Sequence, residues 1–302
     1  MMVSNRGSVL RLLFWQWRYT LSYALTGALA PLVHQTLGWH WMKLPMAPLA
    51  ILGSTIGIFV SFRTNQAYAR WWEGRQLWGR MVNASRHFAN QVLSYLPRGE
   101  GGAPSGLQRE LVMRHVAYVH ALRVALRTQD AAKDPELSRT IGGELALLSR
   151  SNLGQALVAV QQRALAGAAE RGELDGHRLQ SLDTTLAELL AVQGGCERIK
   201  KTPMPRGYSF IADRLVLFFS VLLPFALAAD LGWVIVPINL LLCLAFQLIG
   251  EAGRVLEDPF TMYWNGLPLS QLSTMIEVNL REELGDVELP KIPTVNADGI
   301  LM

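Results

Sequence analysis

Polar and apolar positions are segregated along this chain on a scale longer than a single turn or strand. Charged side chains are absent from four stretches, residues 19–42, 44–62, 215–229 and 231–250. A helix that crosses the hydrocarbon core of a bilayer needs about 20 mostly apolar residues. Three of the runs reach that length, and 215–229 reaches it once Asp230 or the approach from Phe210 is counted. Buried helices of soluble proteins normally keep a polar stripe, and these runs have none. The pattern predicts four transmembrane helices arranged as two hairpins. The first run is long, lacks a small-residue cleavage site and is followed almost at once by a second, so it reads as a span and not as a cleaved signal.

Basic residues beside the spans set the orientation. Arg6, Arg11 and Arg18 precede the first run, and Arg63, Arg70, Arg75 and Arg80 follow the second. Lys200, Lys201, Arg206 and Arg214 precede the third, and Arg254 follows the fourth. The two short turns hold only Lys43 and no basic residue, respectively. Both termini and the long middle region are therefore expected in the cytoplasm, with Trp39, Trp41 and Trp233 at the opposite interface. The middle region has helical periodicity near 107–126, 135–168 and 175–199, and the Gly- and Pro-rich stretch PRGEGGAPSG reads as a loop. Tyr68, Trp71, Trp72, Trp78 and Val82 form an expected apolar stripe. The expected fold is all-α, divided as 1–62 (N-terminal segment and first hairpin), 63–209 (cytosolic helices), 210–250 (second hairpin) and 251–302 (a cytosolic helix and an extended tail).

Composition agrees: charged residues are 17% of the 302, the mean hydropathy is +0.20, and there are nine Trp. Soluble domains carry about 25% charged residues. Disorder and a disulfide scaffold are both excluded, since half the chain is apolar and Cys196 and Cys243 are the only cysteines. No phosphate loop, dinucleotide fingerprint, nucleophile elbow or HExxH pair is present, so nothing marks an enzyme. The six histidines form no cluster with metal-ligand spacing. The mixed aromatic and basic segment RTNQAYARWWEGRQLWGR leaves a membrane helix and does not read as a nucleic-acid site.

In the second span Gly53 and Gly57 form a GxxxG pair, which permits close helix approach. Ser54, Ile58 and Phe62 follow one another at four-residue spacing on an adjacent face. Several copies of the helix brought to one axis would stack these residues as rings in a narrow apolar constriction, of a kind that gates by dewetting. On spacing alone the row also suits lipid or a helix of the same subunit.

At Arg70-Trp71-Trp72 the sequence resembles the bestrophin family, including its bacterial members. WQWR (15–18), CERIKKTPMPRGYS (196–209) and EDPF (257–260, with Asp258, Pro259 and Phe260) agree as well, and the similarity runs from about Val9 to Leu284. The resemblance implies a homopentameric ion channel in the bacterial inner membrane, with one central pore and no enzymatic activity. Its expected partners are copies of itself, the lipid bilayer and monovalent ions, and not nucleic acid. Counting back from Arg70 puts the family's pore neck on Ser54, Ile58 and Phe62. A second, cytosolic aperture is implied at His177 or Leu179. Chloride and other anions are the implied cargo, with cations such as sodium the alternative for the bacterial branch. Animal bestrophins clasp calcium with an acidic run after Asn-Pro-Phe. Here TMYWNGLPL follows Phe260 and the next carboxylate is Glu277, so no cofactor is expected. The rival expectations are a membrane scaffold and a membrane-bound enzyme without conduction.

Overall fold

The computed structural model describes residues 15–38, 43–296 and 299–301. Arg6, Arg11, Trp39 and Trp41 lie outside the described residues. The fold is all-helical, with no β-strand among the described residues. In chain order the helices are α1 (Trp17–Thr36), α2 (Met46–Tyr95), α3 (Gly106–Leu126), α4 (Pro135–Thr140), α5 (Leu153–Glu170), α6 (Gly176–Lys201), α7 (Arg206–Leu231), α8 (Ile235–Leu256) and α9 (Leu269–Glu283). They form two compact units. One takes the described residues up to Trp71 together with Pro203–Glu257, and the other takes Trp72–Thr202 and the described residues from Asp258. These divisions differ from those drawn at the ends of the charge-free runs, because charge marks the edge of the apolar stretch whereas helix packing continues beyond it.

Met46–Tyr95, whose part up to Trp71 belongs to the first unit, and Phe210–Leu256 are long and apolar enough to cross a membrane. The latter stretch is a hairpin: α7 ends at Gly232, whose φ of +54° is open to glycine, and one turn of 3-10 helix leads into α8. α1 packs against both α7 and α8. Tyr23, Ile56, Val60, Val216, Phe219 and Cys243 fill the core among these helices. Gly27 lets α1 approach closely, since a Cβ there would lie 3.3 Å from Val236 Cα. Two buried polar side chains of this apolar unit find partners across its helices, which lowers the cost of burying them. The fully buried Asn239 donates to the Tyr23 carbonyl at 3.0 Å, and the Tyr23 hydroxyl donates to Gln247 Oε1 at 3.4 Å. The lone charges of the two turns, Lys43 and Asp230, pair at 3.3 Å, so both turns lie at one end of the unit.

The second unit is built around α3, which packs on α4, α5, α6 and α9. Ser105 and Gln108 form a capping box at its start. The Gln108 amide also donates to the Val92, Leu93 and Leu96 carbonyls at 3.1–3.2 Å, closing the end of α2 from inside the core. Asp175 caps α6. The helix expected over 135–168 is broken: α4 stops before Gly142, which adopts φ +56°, and a 3-10 segment to Ser149 precedes α5. The expected aromatic stripe also divides, with Trp78 and Val82 buried while Tyr68 and Trp72 are exposed. Mixed three-, four- and six-residue steps carry those residues around the helix and not along one side.

The start of the tail is stapled. Asp286 pairs with Arg281 and Arg109, and Arg281 donates to the Glu288 carbonyl at 2.8 Å. Beneath it lies a buried network in which Glu277 accepts from His120 at 2.9 Å and from Arg139 at 2.7 Å. Burial alone would raise the Glu277 carboxyl, but those hydrogen bonds and charges bring it down from 4.5 to about 2. A carboxylate depressed in the folded state contributes its full stabilisation above its ordinary value and loses it as pH falls toward the folded one. Glu277→Gln should therefore cost about 3 kcal/mol at neutral pH. Melting temperatures of the two proteins in detergent should converge between pH 4.5 and 2; a constant gap would refute the charge network as the cause.

Candidate functional site

α2 divides its residues sharply between two faces. Ile56 and Val60 are buried in the core of the first unit, while Ile58 and Phe62 are 59% and 67% exposed. Ser54 is exposed beside them, and its hydroxyl donates to the Ala50 carbonyl at 3.0 Å, leaving oxygen lone pairs outward. Counted at about 3.6 residues per turn, the same row continues through Asn65 and Ala69, both exposed. In the second unit the spacing picks up Trp72, Gln76, Arg80, Asn83, His87 and Asn90, and each of these is exposed too. The row is apolar where the helix is apolar and becomes rich in amides past Arg63. The change falls where the charge-free run ends.

Gly53 and Gly57 lie on an adjacent side of the helix that faces the interior. A Cβ at Gly53 would lie 3.2 Å from the Phe219 ring, and one at Gly57 would lie 3.6 Å from Phe246. Those rings meet edge to face at 6.0 Å. The glycine pair thus receives aromatic side chains of the same chain.

Arg63 closes the charge-free run. It is 4% exposed and donates to Glu257 at 2.9 Å, within the first unit. Residues around Gly74, Lys200 and Asp258–Phe260 meet in the second unit. Lys200 pairs with Asp258 at 2.6 Å, while the other Asp258 oxygen accepts from the Phe260 backbone N–H at 3.1 Å. Pro259 packs against Gly74, where a Cβ would lie 3.0 Å from its ring, and Phe260 is fully buried. Arg70 and Trp71 are half-buried, and Trp72 is exposed. The motif residues are thus a packing junction: they fix where α2, α6 and the segment after α8 meet. Both carboxylates of EDPF already have a cationic partner, which is a poor donor set for calcium. Among the described residues no group of three or more His, Cys, Asp or Glu could hold a metal ion.

On α6, His177 is exposed and shares its face with Gln180, Thr184, Ala187 and Ala191, whereas Leu179 is half-buried on the side of Leu182 and Leu186. Between α6 and α2 runs a groove of about 960 Å³, lined by Glu73, Gln76, Arg80, Asn83, Gly194 and Arg198 among others. Its floor is set by Gly195, where a Cβ would lie 2.9 Å from Leu77. Arg80 makes a two-point contact with Glu188, Nε and Nη2 each donating at 2.8 Å, and Glu73 pairs with Arg198. Sequence reasoning did not find these pairs, since their members lie on different helices and no spacing connects them.

These features define an all-helical membrane protein, with no catalytic constellation among the described residues. Residues 1–282 match the family described as Bacterial/Fungal Bestrophin protein. The chain is 34% identical over 256 residues to the voltage-dependent anion channel-forming protein YneE of Escherichia coli K12, covering 82% of this chain and 80% of that one. It is 32% identical over 259 residues to a voltage-dependent anion channel-forming protein of Mesorhizobium japonicum, covering 84% and 82%. A crystal structure of a bacterial bestrophin homolog from Klebsiella pneumoniae, in a variant form, superposes with a TM-score of 0.81 at 30% identity, covering 91% of this chain and all of that one. This chain belongs to the bestrophin family. The family and the names of its relatives point to a channel and not to an enzyme.

The exposure difference on α6 is directly measurable. Cys196 and Cys243 are buried, so a single introduced cysteine can be read against a silent background. A cysteine at His177 should react rapidly with a water-soluble maleimide in the folded protein, and one at Leu179 several-fold more slowly. Equal rates would contradict the assigned face of α6.

Proposed function

We propose that this chain is the subunit of a passive channel for monovalent ions. Five copies surround one pore in the bacterial inner membrane, each contributing four transmembrane helices, α1, the apolar part of α2, α7 and α8, with both termini in the cytoplasm. The observation that carries this reading is the exposed row on α2; in the proposed assembly Ser54, Ile58 and Phe62 form the neck, and the amide-rich continuation lines a wider cytosolic vestibule. The pairing of Lys43 with Asp230 supports two hairpins turning at one side, and the excess of basic residues on the other side supports a cytoplasmic middle region.

The neck works by exclusion. A narrow ring of Ile58 and Phe62 side chains offers no hydrogen bonds to replace an ion's hydration shell, so conduction waits until the ring widens or wets. Ser54 is neutral, and nothing in the neck carries charge, so discrimination between anions and cations rests on groups elsewhere along the path. The relatives' names attach anion conduction to the family, and anions are the proposed principal cargo here. The His177 position on α6 is the proposed cytosolic aperture. Calcium plays no part in this scheme, because Asp258 and Glu257 are committed to Lys200 and Arg63.

Reconstituted protein tests the neck. Ile58→Ala and Phe62→Ala should each raise ion flux into liposomes several-fold, with the assembly intact by size-exclusion chromatography. Unchanged flux in both would overturn the neck assignment. Wild-type protein giving no single-channel steps in planar bilayers would favour a scaffold.

A further inference from the structure

The groove between α2 and α6 combines features that a purely structural surface does not require. It is open, its floor is glycine, and the charged side chains that line it, Glu73, Arg80 and Arg198, are all paired: Glu73 with Arg198, and Arg80 with Glu188, which stands outside the lining. Arg80 and Glu188 remain 53% and 41% exposed while paired. The remaining lining side chains are neutral. Both members of each pair belong to the second unit, and Arg80 falls on the exposed row that begins at the neck. Exposed pairs contribute little to stability, so stability alone does not account for a bidentate pair on this wall.

Resting on the channel reading above, we propose that Arg80 and Glu188 are specificity-determining residues: a charge-matched pair on the vestibule wall that holds the local field near zero and so limits how strongly the pore distinguishes anions from cations. An isolated arginine here would enrich anions and repel cations, and an isolated glutamate would do the reverse. Repeated once per subunit around a water-filled vestibule, either uncompensated charge would generate a potential of the order of kT or more. Because the neck has no charge of its own, this field acts unopposed. The guanidinium fork fits both carboxylate oxygens at once, which keeps the two charges close enough to cancel for an ion passing outside the pair.

Reversal potentials under a sodium chloride gradient, measured on the full-length purified assembly in planar bilayers, test this directly. Glu188→Gln should raise the chloride-to-sodium permeability ratio by about three-fold or more, and Arg80→Gln should lower it by a similar factor. The double variant should return to the wild-type ratio, as should the exchanged pair with Arg80→Glu and Glu188→Arg. Arg80→Lys, which keeps the charge but loses the fork, should shift the ratio less than Arg80→Gln does. Conducting single variants with the wild-type ratio, or shifts in the same direction for both, would overturn the inference while leaving the channel reading intact. An assembly whose wild-type form passes no current would remove both together.

Discussion

A membrane helix that commits one side to its own subunit has to find surroundings for the other. α2 buries Ile56 and Val60 against α7 and α8 and turns Gly53 and Gly57 toward the Phe219 and Phe246 rings. Ser54, Ile58 and Phe62 are thereby forced outward, and the helix carries them without interruption into a region where the same positions are Asn, Gln, Arg and His. Each other element of the proposed channel follows from this division of faces. The inward side packs the core of the first unit, and the outward side supplies the proposed constriction and the polar wall proposed to follow it.

The motifs that mark the family serve the first of these tasks. Lys200, Asp258, Pro259, Phe260 and Gly74 gather into one junction, with ion pair, turn and ring packing in the same few residues. Arg63 and Glu257 do similar work within the other unit. Such residues position the helices and need not touch an ion. The contrast with the groove is instructive: there the charges are paired but exposed, and the small residues leave space where the junction fills it.

Much of this was legible in the sequence, because membrane burial is a coarse filter that acts on every residue of a span. The four uncharged runs, the basic flanks and the Gly- and Pro-rich loop after Tyr95 could be read from residue type alone. The row Ser54, Ile58 and Phe62 was visible as a spacing, though its surroundings were not. Features that depend on which side of a soluble helix is buried were harder to read. Leu179 and His177 are two residues apart, and only packing beneath Leu182 and Leu186 separates their faces. The break at Gly142 needs a positive φ that a helical pattern can hide, and Tyr68 and Trp72 read as one apolar stripe with Trp78 because residue type alone does not tell which aromatic is buried. The Arg80–Glu188 pair joins residues 108 apart in sequence, beyond the reach of any local pattern.

The central claim is that one side of α2, repeated by symmetry, walls the ion path. Electron cryo-microscopy of the purified protein in lipid nanodiscs addresses it most directly. The account predicts a five-fold ring with Ser54, Ile58 and Phe62 of every copy around the axis at its narrowest point. A monomer, or a closed ring whose axis is lined by residues of α7, α8 or another side of α2, would contradict it.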